Sequence, residues 1–206
     1  MAGVRRALLV LAAAQLLVGC GGSAASTSTP RFAKQPPRTF RGLLVPAVAA
    51  PPIALHDADG RPVTLASQRG RYTLVTFIYT HCPDVCPLIA SNLDQALRLV
   101  DARWHRVGVL AVSLDPRGDT PAAVRAYVKR MHLVPAFRYL IGTARDLRRV
   151  WTAYHVTAVA QGGGLVGHAT NTVLVDARGR ERLVYDSQLK ADAVVHDLRV
   201  LMHSTA

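Results

Sequence analysis

The sequence predicts an α/β domain with a mostly parallel central sheet, helices flanking it and a β-hairpin near each end. Three observations predict it. Two charge-free runs, one rich in β-branched and aromatic residues at 72–79 and a valine-rich one at 107–114, have the pattern of strands buried on both faces. Helical signals follow each run: apolar residues at 89, 93, 96, 97 and 100 after the first, and a Thr120-Pro121 start after the second. Finally, Asp59-Gly60 and Ala177-Arg178-Gly179 each divide two short apolar runs, as hairpin turns do.

In chain order, 53–55 and 63–65 make the first hairpin about Asp59-Gly60, and 72–79 is the central strand. A helix covers 88–100, and 107–114 is the second buried strand. Thr120 caps and Pro121 opens a helix running to about His132, and 137–141 is a short strand. Thr143 with Asp146 three residues on forms a capping box for a helix through Tyr154. Strands at 172–176 and 182–185 form the late hairpin, and 192–202 is the closing helix. No internal repeat is visible. Strands alternating with helices argue a parallel sheet covered on both faces, with antiparallel pairing added at one side by the late hairpin. A thioredoxin-like fold satisfies this order.

Composition narrows the class further. The chain has 206 residues, 50% of them apolar, which is enough burial to offset the entropy of ordering and excludes a disordered tail. Gly is 15 of 206 and no heptad persists, so collagen and coiled coil are excluded. Three cysteines are too few for a disulfide-dense mini-fold.

Residues 1–19 read as an export signal: Arg5 and Arg6, an apolar run over 7–19, then a small residue before Cys20. That run is too short to span a hydrocarbon core of roughly 30 Å. Leu17-Val18-Gly19-Cys20 resembles the lipobox of bacterial lipoproteins, in which the cysteine is acylated and becomes the first mature residue. The resemblance implies a lipid anchor at Cys20 and a protein held at the outer face of the cell membrane, with the outer membrane as the alternative. Cys82 and Cys86 are then the only remaining thiols of an exported domain.

Residues 20–52 are rich in Ser, Thr, Pro and Ala without a persistent period, and read as a flexible tether to a domain at 53–206. The formal charge is +12, and +10 once Arg5 and Arg6 leave with the signal. Such a balance favours anionic headgroups or an acidic partner surface. No nucleic-acid partner is expected, because the arginines are scattered rather than gathered on one face with aromatics between.

The chemistry sits at Thr80-His81-Cys82-Pro83-Asp84-Val85-Cys86-Pro87, where the central strand ends and a helix begins. In open α/β sheets the crevice beyond the carboxyl ends of strands is where sites form. Pro83 and Pro87 each bias the preceding cysteine away from helical backbone, so the expectation is a stiffened loop with Cys86 as cap and Pro87 as first helical residue. A helix N-terminus favours thiolate over thiol and makes the pair a nucleophile, a reductant and a soft ligand. An inert structural disulfide is the plainer reading, but closing a five-residue loop restrains little unfolded-state entropy.

The run from Tyr79 to Pro87, with Asp115-Pro116, Asp119-Thr120-Pro121 and Gly167-His168 before the strand at 172–176, resembles the Sco/SenC family of copper-binding, thioredoxin-fold proteins. The similarity covers the domain from Phe40-Arg41-Gly42 through the closing helix. It implies copper, Cu(I) or Cu(II), bound by Cys82, Cys86 and His168. It also implies delivery of copper to the binuclear copper centre of a cytochrome c oxidase subunit, or reduction of that centre's thiols. Soft thiolates select Cu(I) and imidazole accepts either state, whereas a structural zinc site usually wants four such ligands. Gly162, Gly163 and Gly164 are expected in a loop that lets His168 swing onto the metal and off it.

The remaining candidates are weaker. His81 competes for the third ligand position, but neighbouring strand residues point to opposite faces. His56, His105, His132, His155, His196 and His203 have no ligand spacing. Asp84 can be a solvated charge, a steering group or an outer ligand; Asp115 and Asp119 are expected to organise a turn and a helix start. The leading function is a copper metallochaperone with a copper acceptor as partner. The alternative is a thiol-disulfide reductase in which Cys82 attacks and Cys86 resolves, recharged by a thioredoxin-like reductant; a copper or redox sensor is the third.

Overall fold

In the computed structural model the described residues are 40–100, 106–161, 164–168 and 171–203, with backbone only over 158–161 and 164–168. They form β1 (Leu43–Leu44), β2 (Ala54–Asp57), β3 (Pro62–Thr64), a 3-10 turn (Ala66–Gln68), β4 (Tyr72–Ile78) and α1 (Val85–Leu99). β5 (Val107–Ser113), α2 (Pro121–Arg130), β6 (Phe137–Ile141) and α3 (Ala144–Ala153) follow. The chain continues through β7 (Thr157–Gln161), β8 (Gly164–His168), β9 (Thr172–Val175), β10 (Glu181–Tyr185) and α4 (Ala191–His203).

Eight strands make one sheet in the order β1-β10-β9-β4-β5-β6-β2-β3. The thioredoxin-like α/β architecture is present. Its parallel block is β4-β5-β6, and the sheet as a whole is mixed, because β9 pairs antiparallel with β4 and both hairpins add antiparallel edges. All seven residues of β4 and of β5 are buried, which is why those runs carry no charge. Leu74, Ile78, Val109 and Tyr139 face α1, α2 and α4, while Val75, Phe77, Leu110 and Val112 face α3 and the first hairpin. Thr120 and Thr143 cap α2 and α3 as expected, each accepting from the backbone N–H three residues on.

Three expectations are corrected. The domain begins before residue 53: β1 pairs with β10, Ala49 bridges Arg180, and the Arg41 and Gly42 N–H groups donate to the buried Asp197 carboxylate at 2.9 and 2.8 Å. A Cβ on Gly42 would lie 2.7 Å from the Tyr185 ring, so glycine lets the chain enter this close. Residues 40–52 are therefore docked and not tether, while 20–39 lie outside the described residues. Second, α1 starts at Val85, which places Cys86 and Pro87 second and third in the helix. Proline is tolerated there because a first-turn N–H has no intrahelical partner to lose.

Third, the stretch expected as a glycine loop is a hairpin. β7 and β8 pair antiparallel with Gln161 opposite Gly164 and Thr157 opposite His168. The two residues between the strands are Gly162 and Gly163, a two-residue hairpin signal, with Val159 and Val166 paired across the strands. Gly164 is thus a strand residue.

Candidate metal and redox site

β4 delivers the backbone to the carboxyl end of the sheet, where Tyr79 to Asp84 cross to the start of α1. Cys82 N–H donates to the Tyr79 carbonyl at 3.3 Å, turning the loop back on itself. Cys86 N–H then donates to Cys82 Sγ at 3.3 Å, so the helix start points a peptide dipole at the first sulfur. Both thiols are free and buried, Cys82 at 8% exposure and Cys86 at 0%.

The two sulfurs are unequal. The Cys86 thiol hydrogen bond holds the Cys82 pKa down to about 5, helped by the Asp84 and Cys86 N–H groups and the Tyr79 hydroxyl, against the opposing effect of burial. The Cys86 pKa is pushed up, first by the same hydrogen bond to Cys82 and then by burial. Burial and the neighbouring Cys82 push the Tyr79 phenol up to about 12, so it stays a donor. One thiolate, one thiol and one phenol share the loop.

A carboxylate that the sequence left as a helix-start residue anchors this loop. Asp119 is 3% exposed and accepts four hydrogen bonds. Thr80 donates through N–H at 2.9 Å and Oγ1 at 2.7 Å, Ser113 Oγ at 2.5 Å, and Tyr139 OH at 2.9 Å. It ties the root of the cysteine loop to the end of β5 and the middle of β6. Asp115 instead organises the turn, as expected, accepting from the Arg117 and Gly118 N–H groups at 3.0 and 2.9 Å.

Cys82 and Cys86 are therefore brought together. His168 ends β8, four residues before Thr172, whose hydroxyl donates to Thr76 Oγ1 at 3.0 Å. Since β9 runs against β4, it starts at the end of β4 that opens into the cysteine loop. The His168 side chain lies outside the described residues, and among these no group of three or more His, Cys, Asp or Glu is placed to hold a metal. His81 is exposed, with Nδ1 3.0 Å from Thr80 Oγ1. His132 and His155 sit just past α2 and α3 with φ of 51° and 55°, closing those helices as glycine often does. Asp84 is exposed at the N-cap of α1 and makes no side-chain cap bond.

The sequence profile of SCO1/SenC matches residues 45–203, which spans every strand of the sheet but β1, the cysteine loop and all four helices. The chain belongs to the SCO1/SenC family. It is 36% identical over 159 residues to a cattle protein, "Protein SCO2 homolog, mitochondrial", covering 75% of this chain and 57% of that one. A SCO2-like protein of Rickettsia conorii is 28% identical over 134 residues, covering 61% and 63%. The chain thus spans about three-fifths of the length of these relatives. Among solved structures, copper-bound ScoI of Bradyrhizobium japonicum matches with a TM-score of 0.64 at 30% identity, covering 74% of this chain and 98% of that one. Apo Sco1 of Thermus thermophilus matches with 0.68 at 30% identity, covering 79% and 96%.

Proposed function

We propose that this chain is a copper metallochaperone that carries copper on Cys82, Cys86 and His168 and hands it to the binuclear copper centre of cytochrome c oxidase. The convergence of two free, unequal thiols at the mouth of the β4–α1 crevice carries this reading. The donor set fits: a preformed thiolate and a neighbouring thiol are soft ligands suited to Cu(I), and a strand-end imidazole accepts Cu(I) or Cu(II). Metal loading would displace the Cys86 proton and so run against its raised pKa, which eases release at the acceptor. The copper-bound family member at 30% identity supports the cargo.

Isothermal titration of the reduced chain with Cu(II) tests it. One equivalent is expected to bind, and His168→Ala should lose more than about tenfold in affinity, since even outer-shell partners of metal ligands are worth that much. Equal affinity in both proteins would remove His168 from the site.

The unequal thiols also support a second reading, reduction of a partner's disulfide. The Cys82 thiolate attacks one partner sulfur and the other leaves as thiolate. Cys86 then loses its proton and attacks Cys82, the second partner sulfur leaves, and the pair ends as a disulfide with two electrons passed on. A thioredoxin-like reductant would restore it. Cys86→Ser should trap the mixed disulfide on Cys82, and recovery of no covalent complex from the oxidised acceptor argues against this step. An acylated Cys20 would place either activity at the outer face of the membrane; among the described residues no helix is long and apolar enough to cross one.

A further inference from the structure

The end of the sheet opposite the cysteine loop collects arginines that the sequence scatters. β4 and β5 both run toward the loop, so the residues just before them, Arg71 and Arg106, lie at the far end. β9 runs the other way, and the turn after it arrives at the same place. There Gly70 N–H donates to the Ala177 carbonyl at 2.9 Å, and the Arg69 guanidinium donates to the Arg178 carbonyl. Arg69, Arg106 and Arg178 are exposed and Arg71 is half-buried.

Among the described residues their charges have no carboxylate of their own. Asp176, the buried acid of that turn, is taken by Arg180 and Arg182 at 3.1 and 3.4 Å, and Asp57 and Asp59 by Arg138 and Arg61 at 2.9 and 3.0 Å. Arg69, Arg71, Arg106 and Arg178 have no carboxylate within ion-pair distance among the described residues. Beside them Arg71 lines a cavity of about 410 Å³ with Ser67, Gln68 and Arg138. One Arg71 nitrogen donates to the Val107 carbonyl at 3.3 Å, while its Nε is buried without a hydrogen-bond partner. An orphaned buried donor on a cation calls for an oxyanion acceptor. The cysteine-loop end of the sheet, by contrast, carries Asp84 and Asp115 beside the exposed Arg117.

We propose that this arginine pole docks on anionic phospholipid headgroups, with phosphodiester oxygens at Arg69, Arg106 and Arg178 and in the cavity at Arg71, so that the thiol loop faces away from the bilayer. The 20 residues from Cys20 to Thr39 reach up to about 65–70 Å when extended, against a domain about 40 Å across. A tether of that length lets either end of the domain meet a bilayer, and the charge distribution selects this one. An arginine near an anionic leaflet contributes attraction that falls off within a Debye length.

The test uses the chain from residue 20 with Cys20→Ser, which keeps the whole folded unit and removes any acyl contribution. It is sedimented with vesicles of phosphatidylcholine plus phosphatidylglycerol, and with phosphatidylcholine alone. Binding is expected only to the anionic vesicles and should weaken with added salt. Arg69→Glu, Arg106→Glu and Arg178→Glu together should lower partitioning at least about tenfold. The three Arg→Lys replacements should retain it, and Arg→Gln at the same positions reads the loss if the Glu set fails to fold. Arg117→Glu, Arg145→Glu and Arg148→Glu remove the same charge elsewhere and should bind like the parent. Equal loss in both reversed sets, undiminished binding by the first set, or no binding of the parent overturns the proposal; the last would leave an acidic protein as the pole's partner. No metal enters the assay, so its failure is separable from failure of the copper reading.

Discussion

Asp119→Ala is expected to lower the stability of the folded chain by about 3–5 kcal/mol, with a fall in Tm on the order of 10 °C. The substitution removes the carboxylate that accepts from four buried donors, two on Thr80 and one each on Ser113 and Tyr139, of which the Tyr139 hydroxyl keeps the Ile78 carbonyl at 3.2 Å. Each stranded donor costs about 1–3 kcal/mol, and the sum is not reached because water can enter the vacated space and satisfy part of the set. Asp119→Asn keeps the shape but turns one acceptor into a donor facing another donor, so an intermediate loss is expected. Urea unfolding measures both. A loss below about 1 kcal/mol for the alanine variant would show that the loop is held by something else. Thr80 lies two residues before Cys82, so the surviving folded fraction should also bind copper less tightly than the parent.

The second large effect is in the pH profile of Cys82. With its pKa at about 5, Cys82 is a thiolate throughout the neutral range, whereas an ordinary thiol is about 1% ionised two units below its pKa. Speed at pH 7 is not the signature. Nucleophilicity falls as pKa falls, with a Brønsted slope of about 0.4–0.5, so roughly four units of lowering cancel most of the hundredfold gain in thiolate. At pH 5 the balance differs: half of Cys82 is ionised against about one part in ten thousand for an ordinary thiol. The net advantage there is roughly fifty- to hundredfold. Exchange with a small disulfide reagent, followed from pH 4 to 9, should therefore rise through a midpoint near 5 and stay flat from 7 upward. Protonation below that midpoint switches the sulfur off. Cys86→Ala removes the hydrogen bond that contributes most to the lowering, and should move the midpoint upward. A parent midpoint near 8 or 9 would contradict the unequal pair.

Much of the fold was legible because its signals are local. The charge-free runs at β4 and β5 announce burial on both faces, and Thr120-Pro121 and Thr143 with Asp146 announce helix starts by their own backbone chemistry. The thiol pair was legible too, since five residues of sequence contain both sulfurs. The β7–β8 hairpin also carried a local sign, the Gly162-Gly163 pair between two short apolar segments, though glycines preceding a candidate ligand read equally well as a loop. β1 was hidden for a different reason: two leucines among prolines and alanines have no period, and only pairing with β10 makes them a strand.

Sequence alone determined the order of elements from β2 to α3 and from β9 to α4, the export and anchoring signals as expectations, and the placing of Cys82 and Cys86 at a strand-to-helix junction. Those features follow from periodicity, capping and turn chemistry, which act over a few residues. Tertiary structure alone decided that Asp119 is the buried anchor of the cysteine loop, because its partners at Thr80 and Tyr139 are 39 and 20 residues away. It likewise divided the thiols into an ionised and a protonated one, and gathered Arg69, Arg71, Arg106 and Arg178 at one end of the sheet. Burial and electrostatic partnership depend on which distant segments the fold brings within a few ångströms, and no local pattern encodes that.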